Sequence, residues 1–237
     1  MNLIRSLLTY CMVAIYALLV APPGMIIASL AGRPEWLYSL GKSGLRLGLL
    51  LAGVKFHVEG LEKVRPDRTY VFISNHVSNL DPPVLILAIP RRVRVIAKKE
   101  LLKIPLVGKA MSMVGFVFVD RRRREDAQGG VDRSASMLRQ GHSFLVFPEG
   151  TRSSDGRLAP FKKGAFLMAI NGEVDLLPMI IEGSYGLMPR GSLAVKNGKV
   201  RVRFLDPIPA SDLAYADRET LLANARQIMV RAMTSRA

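Results

Sequence analysis

The chain has 237 residues, 49% of them hydrophobic, and a formal net charge of +15. That length suits one main domain with an appendage, and the charge directs it toward anions: nucleic acid, acidic lipid or phosphorylated small molecules. A single cysteine, Cys11, excludes an intramolecular disulfide and any zinc site built on several thiolates, and three histidines, His57, His76 and His142, leave little for a cluster of imidazole ligands.

Residues 3–20 are apolar apart from Arg5 and a few hydroxyl side chains, close to the ~20 residues that cross a bilayer. Pro22, Pro23 and Gly24 then interrupt, and a further apolar stretch continues to residue 32. This break argues against one long straight span. Three readings stand: a signal peptide with Ser29 and Ala31 near its cleavage point, a transmembrane anchor, or a helical hairpin dipping into one leaflet. Residues 35–53 suit the last, because Trp36, Tyr38, Lys42 and Arg46 accompany a run of leucines, as side chains of the lipid headgroup zone do. The same residues also read as a helix packed over the main core.

From residue 54 the period changes. Residues 54–60 alternate as a strand, and 69–75 form a buried one by their aromatic and β-branched content. A short helix is predicted over 82–89, a strand over 92–98, a helix over 100–115 broken by Pro105, and a strand over 116–120. Residues 124–140 are helical, ending at Gly141. A strand over 143–150, a helix over 161–170 and a strand over 175–183 follow. Residues 193–204 read as a hairpin through Asn197-Gly198, and the tail from Asp212 is helical. Alternating strands and helices indicate an α/β domain over 54–237, a mixed sheet flanked by helices. Residues 1–53 are expected to be an N-terminal hydrophobic, membrane-associated two-helix element.

Four segments carry chemistry. In residues 75–83, NHVSNLDPP, a histidine and an aspartate five apart cannot share a helical face, but a loop between them lets them meet. His76 would then take a proton from a hydroxyl while Asp81 holds the imidazole tautomer. Alternatively, Asp81 caps the helix that opens at Pro82. No G-x-S-x-G elbow exists and Cys11 lies in the apolar N-terminus, which disfavours a covalent intermediate. In VFPEGTRS, residues 146–153, Gly150 permits an unusual backbone angle, and Arg152 offers a fork that matches phosphate. Glu149 would orient that arginine or meet a substrate hydroxyl; a plain strand-terminal turn is the alternative. In residues 115–126, Asp120 and Arg121 end a strand as a substrate-side ion pair, and Arg122 to Arg124 read as a solvated face or a contact for acidic lipid or carrier. Lys98 ends another strand, where ligands of open α/β sheets gather.

In this order the segments resemble the glycerolipid acyltransferase family, particularly its 1-acylglycerol-3-phosphate members. Asn75, His76 and Asp81 match the N-H-x(4)-D motif. Gly115, Phe118, Val119, Asp120 and Arg121 match the second, and Phe147 to Ser153 match F-P-E-G-T-R-S throughout. Lys98, Glu100, Pro105 and Gly108 fit a further family stretch, and Leu177, Pro178 and Met179 loosely fit the fourth motif. The resemblance implies His76 as general base with Asp81 orienting it. It implies a glycerol-phosphate site drawn from Lys98, Asp120, Arg121, Glu149, Gly150, Thr151 and Arg152. It implies a lysophospholipid acceptor and acyl-CoA or acyl-carrier protein as co-substrate, with no metal or other cofactor. Glycerol-3-phosphate or another lysolipid remains open as acceptor. An anionic membrane is the expected partner, with the catalytic domain on its cytoplasmic face. Nucleic acid is not expected, since no basic aromatic groove or nucleic-acid motif accompanies the charge.

Overall fold

The computed structural model of the chain describes residues 2–120 and 122–235. Strand β1 (Val54–Glu59) opens the sheet domain, and β2 (Tyr70–Ser74) forms its centre, buried at every residue. Alternation along β2 decides the layers. Tyr70 and Phe72 join one core with Leu145, Leu177 and Met179, while Val71 and Ile73 join another with Phe144, Leu176 and Ile180. Two covered faces explain why this strand is hydrophobic from Tyr70 to Ile73 rather than at alternate positions.

The remaining strands are β3 (Arg94–Lys98), β4 (Val117–Val119), β5 (Phe144–Val146), β6 (Asp175–Glu182) and β7 (Gly198–Phe204). Their order is β1-β7-β6-β2-β5-β3-β4. Neighbours run parallel except β6 with β7. The sheet is therefore mixed, as expected. Its topology sends the chain out of β2, β3, β4, β5 and β6 at one common edge, and the functional segments all follow those exits.

Helices α1 (Asn2–Leu30), α2 (Pro34–Leu51), α3 (Asp81–Ala88) and α4 (Val107–Met113) precede α5 (Arg124–Arg139), α6 (Gly164–Gly172), α7 (Ser184–Leu187) and α8 (Arg218–Thr234). Tyr38 and Leu49 of α2 and Val84 and Leu85 of α3 cover the Tyr70/Phe72 face. Leu138 of α5, Phe166 and Met168 of α6, and Leu221 and Met229 of α8 cover the other.

α1 lies against α2. The Tyr16 hydroxyl donates to the Leu40 carbonyl at 2.9 Å, and a Cβ on Gly44 would stand 2.8 Å from the Tyr16 ring. The Tyr10 hydroxyl donates to the Leu193 carbonyl at 2.7 Å, tying α1 to the segment before β7.

Three expectations need correction. First, Pro22, Pro23 and Gly24 do not break α1, which continues to Leu30. The prolines remove two N–H donors from the helix without ending it, and Gly24 lets Leu40 of α2 approach, since a Cβ there would meet its Cδ1 at 2.8 Å. Second, residues 193–204 are not a hairpin. Gly198 begins β7, its N–H donates to the Gly53 carbonyl at 3.1 Å, and β7 pairs with β1 and β6. The glycine serves close contact with Leu187, 2.5 Å from a would-be Cβ, not a turn. Third, the helix over 100–115 is two pieces, a 3₁₀ turn over Lys99–Lys103 and α4 after Pro105.

Candidate active site

His76 leaves the C-terminal end of β2. Asn75 before it replaces a ladder residue: its side-chain amide donates to the Ile181 carbonyl and accepts from the Ile181 N–H, both at 2.9 Å. The strand end is thereby clamped to β6. The His76 carbonyl accepts from Ser153 N–H at 2.8 Å, and the imidazole stacks on the Phe147 ring at 4.0 Å between centroids.

Asp81 is the first residue of α3, yet it does not cap the helix. The N-cap position is Leu80, which makes no side-chain cap hydrogen bond; its N–H donates to the Ser78 hydroxyl at 3.1 Å. Instead the carboxylate folds back over the loop. Oδ2 accepts from the Val77 and Ser78 N–H groups at 2.7 Å each and meets His76 Nδ1 at 2.9 Å. Oδ1 accepts from the Ser184 hydroxyl at 2.6 Å. The Asp81 side chain is 0% exposed and that of His76 16%. An acceptor at Nδ1 places the proton there, leaving the Nε2 lone pair available. The pair can therefore accept a proton at Nε2 and balance the resulting cation with a fixed buried anion.

Glu149 sits beneath this pair rather than on Arg152. It is 3% exposed. Oε1 accepts from His76 N–H at 2.7 Å and Oε2 from Ala159 N–H at 2.8 Å. Burial, the largest influence, raises its carboxyl above the ordinary value, and the two backbone donors pull against that. Glu149 thus joins the His76 loop to the loop following β5.

Cations surround this edge. Gly150 has φ 72°, as its motif suggested, and a Cβ there would touch the Lys162 side chain at 2.9 Å. Arg152 is partly buried, and its carbonyl accepts from Arg190 Nη1 at 3.2 Å. Thr151 is exposed. Lys98, at the end of β3, pairs with Glu100 at 3.0 Å. Asp120 accepts from the Arg122 N–H at 3.0 Å, while Arg121 lies outside the described residues. Sequence reading missed Ser184, Lys162 and Arg190. Ser184 lies 103 positions from Asp81, so no local motif could announce it. A cleft of about 790 Å³ lined by Tyr38, Val64, Arg94 and Ser143 opens at the other edge of the sheet, away from His76.

A family model described as "Acyltransferase" matches residues 55–182. The chain belongs to the acyltransferase family. This acyltransferase is 35% identical over 191 residues to the human 1-acyl-sn-glycerol-3-phosphate acyltransferase alpha, covering 78% of this chain and 68% of that protein. It is 40% identical over 159 residues to a chloroplastic 1-acyl-sn-glycerol-3-phosphate acyltransferase of Arabidopsis thaliana, covering 66% and 44%. The crystal structure of the 1-acyl-sn-glycerophosphate (LPA) acyltransferase PlsC from Thermotoga maritima matches with a TM-score of 0.85 at 28% identity, over 100% of this chain and 97% of that one.

Proposed function

We propose that this acyltransferase moves an acyl group from acyl-CoA or acyl-carrier protein to the sn-2 hydroxyl of 1-acylglycerol-3-phosphate, giving phosphatidic acid. The observation that carries the reading is the His76–Asp81 pair, 2.9 Å apart with Asp81 fully buried. His76 Nε2 takes the proton of the acceptor hydroxyl, and the oxygen attacks the thioester carbonyl. The tetrahedral intermediate collapses, the C–S bond breaks, and the imidazolium returns its proton to the leaving thiolate. Base catalysis of this kind contributes about 10²–10⁴-fold.

No acyl-enzyme is needed. Near the pair, Ser78 Oγ donates to the Met188 carbonyl at 2.7 Å and Ser184 Oγ to Asp81, so both hydroxyls are committed to structural bonds. Cys11 lies on α1. Arg152, Lys98 and Arg121 bind the acceptor phosphate, a doubly charged group suited to several cations, with Gly150 and Thr151 shaping the loop. Asp120 holds the turn that follows β4. Glu149 positions His76 from below. The donor is a co-substrate, and no further cofactor takes part.

Residues 1–53 serve as the membrane element and 54–237 as the catalytic domain, on the cytoplasmic face of an anionic membrane. The Leu3–Leu30 stretch has mean hydropathy 2.1 and displays Leu7, Leu8, Ile15, Leu18 and Leu19 to the outside. Such a surface suits acyl chains.

The test is thiol release by detergent-purified protein with 1-acylglycerol-3-phosphate, glycerol-3-phosphate and a lyso-aminolipid. Turnover with the first, lost in His76→Ala, is expected. Turnover untouched by His76→Ala would overturn the mechanism, and turnover confined to another acceptor would overturn the substrate.

A further inference from the structure

A second apolar surface neighbours that of α1. Between β3 and α4, and into the first turn of α4, Leu101, Leu102, Ile104 and Val107 are each at least 36% exposed. The backbone enforces this display. Leu106 is held at φ 60°, ψ −50°, a conformation that non-glycine residues avoid. Its side chain packs against the cluster of Met25 and Ala28 of α1 and Leu37 of α2, which Ala110 and Met113 also cover. At Gly108 a Cβ would lie 2.5 Å from the Leu102 carbonyl oxygen, so the turn closes tightly on itself. One leucine is thus driven inward as an anchor while four aliphatic side chains face out. The end of α1 that receives the anchor also carries exposed Ile26, Ile27 and Leu30. Lys99, Lys103 and Lys109 are exposed on the same segment, and its one acidic residue, Glu100, is paired with Lys98.

We infer that residues 99–109 are a second membrane-docking element that seats on an anionic bilayer beside α1. The inference rests on the membrane reading given above and deepens it. Four aliphatic side chains among lysines match a surface that is apolar inside and anionic at its headgroups. The element begins where β3 ends. β3 stands two strands from β2, which at strand spacing is about 10 Å from the strand that delivers His76. Docking here would hold the catalytic edge against the bilayer, where a lysolipid acceptor resides.

The experiment uses the full chain in a Cys11→Ser background, with an environment-sensitive fluorophore on a single introduced cysteine. Leu102→Cys reports the proposed element, Leu19→Cys reports α1, and Asp67→Cys at the opposite edge of the sheet is the solvent control. Vesicles contain phosphatidylcholine with or without phosphatidylglycerol, plus lipid brominated on its acyl chains. The label at 102 should be quenched as the label at 19 is, while that at 67 stays bright. Lys99→Gln with Lys103→Gln should weaken quenching at 102 on phosphatidylglycerol vesicles. Quenching at 19 without quenching at 102 overturns the docking element and leaves the membrane reading intact. Bright labels at both positions overturn the two together. Quenching at 102 that ignores phosphatidylglycerol overturns the part assigned to the lysines.

Discussion

Replacing Asp81 by asparagine separates charge from shape at the catalytic pair. The carboxylate accepts four hydrogen bonds, three on Oδ2 and one on Oδ1. An asparagine can place its amide oxygen where Oδ2 stands and keep the Val77, Ser78 and His76 donors. Its NH₂ then faces Ser184, whose hydroxyl can rotate to accept. Every partner stays satisfied, so stability should change by no more than about 1 kcal/mol, or ~2–4 °C in melting temperature for a chain of this size. The negative charge, however, is gone. An imidazolium with its charge about 4 Å from a carboxylate gains roughly 4 kcal/mol at an effective dielectric of about 20. At about 1.4 kcal/mol per factor of ten this is a loss near 10³. The amide dipole recovers part of it, so kcat/KM should fall about 10²–10³-fold.

Asp81→Ala is the contrast. It strands two backbone N–H groups and a buried hydroxyl, each costing about 1–3 kcal/mol, so it should lower both activity and melting temperature. Thiol release and thermal unfolding in the same detergent read both quantities. An Asp81→Asn protein that keeps more than about a tenth of wild-type activity would refute the charge argument, because base catalysis alone is worth about 10²–10⁴-fold. One that melts like Asp81→Ala would make the residue structural.

Other outcomes follow from the same geometry. Ser184→Ala removes the sole donor to Asp81 Oδ1 among the described residues; it should cost about 1.5–3 kcal/mol of stability and less activity than Asp81→Asn, read by thermal unfolding beside the thiol assay. Gly183→Ala places a Cβ 2.6 Å from the Lys199 carbonyl oxygen at φ 88°, so chemical denaturation should show a loss above ~2 kcal/mol, as expected for backbone strain. Gly150→Ala places a Cβ 2.9 Å from the Lys162 side chain at φ 72° and pushes that side chain aside; KM for the phosphorylated acceptor should rise severalfold while kcat changes little. Glu149 gives a pH signature. Its folded carboxyl is raised above the ordinary 4.5, chiefly by burial, so the folded chain keeps that proton to higher pH than the unfolded chain. Its contribution is complete below the ordinary value and is lost as pH rises through the folded one. The stability of wild type relative to Glu149→Gln should therefore fall with rising pH from about 4.5 upward, and a flat difference would contradict the shift.

The parts of the site legible in the sequence are those whose partners are close in the chain. His76 and Asp81 are five apart, and a strand that reads as buried on both faces, ending in Asn75, marks where the loop between them starts. The Gly150 backbone angle was legible because the residue type that tolerates it was present. The scaffold of the site was not legible. Glu149 reaches His76 across 73 positions and Asn75 reaches Ile181 across 106. Nothing in either segment names its partner; only the order of strands brings them together. Glu149 shows the consequence: the sequence offered Arg152, its neighbour in the motif, or a substrate hydroxyl as its partner, whereas the sheet turns it toward the backbone N–H groups of His76 and Ala159.

The misread glycines follow the same logic. Asn197-Gly198 and Pro22-Pro23-Gly24 carry local turn and break signals, yet both glycines serve as gaps for a remote leucine, Leu187 at one and Leu40 at the other. A missing Cβ can satisfy a backbone angle or admit a neighbour, and the local sequence does not distinguish these uses. Gly198 is not among the positive-φ glycines, whereas Gly183 and Gly150 are. Substitution separates the two uses. A Cβ at Gly183 meets a backbone carbonyl that cannot move aside, whereas one at Gly198 meets the Cδ2 of Leu187, 2.5 Å away, whose rotamer can change. Gly198→Ala should therefore cost less stability than Gly183→Ala. Trimming Leu187 in a Leu187→Ala/Gly198→Ala double variant should recover part of that cost, because two residues that share one contact do not add. Equal losses at the two glycines, or strict additivity with Leu187→Ala, would show that Gly198 answers to its backbone after all.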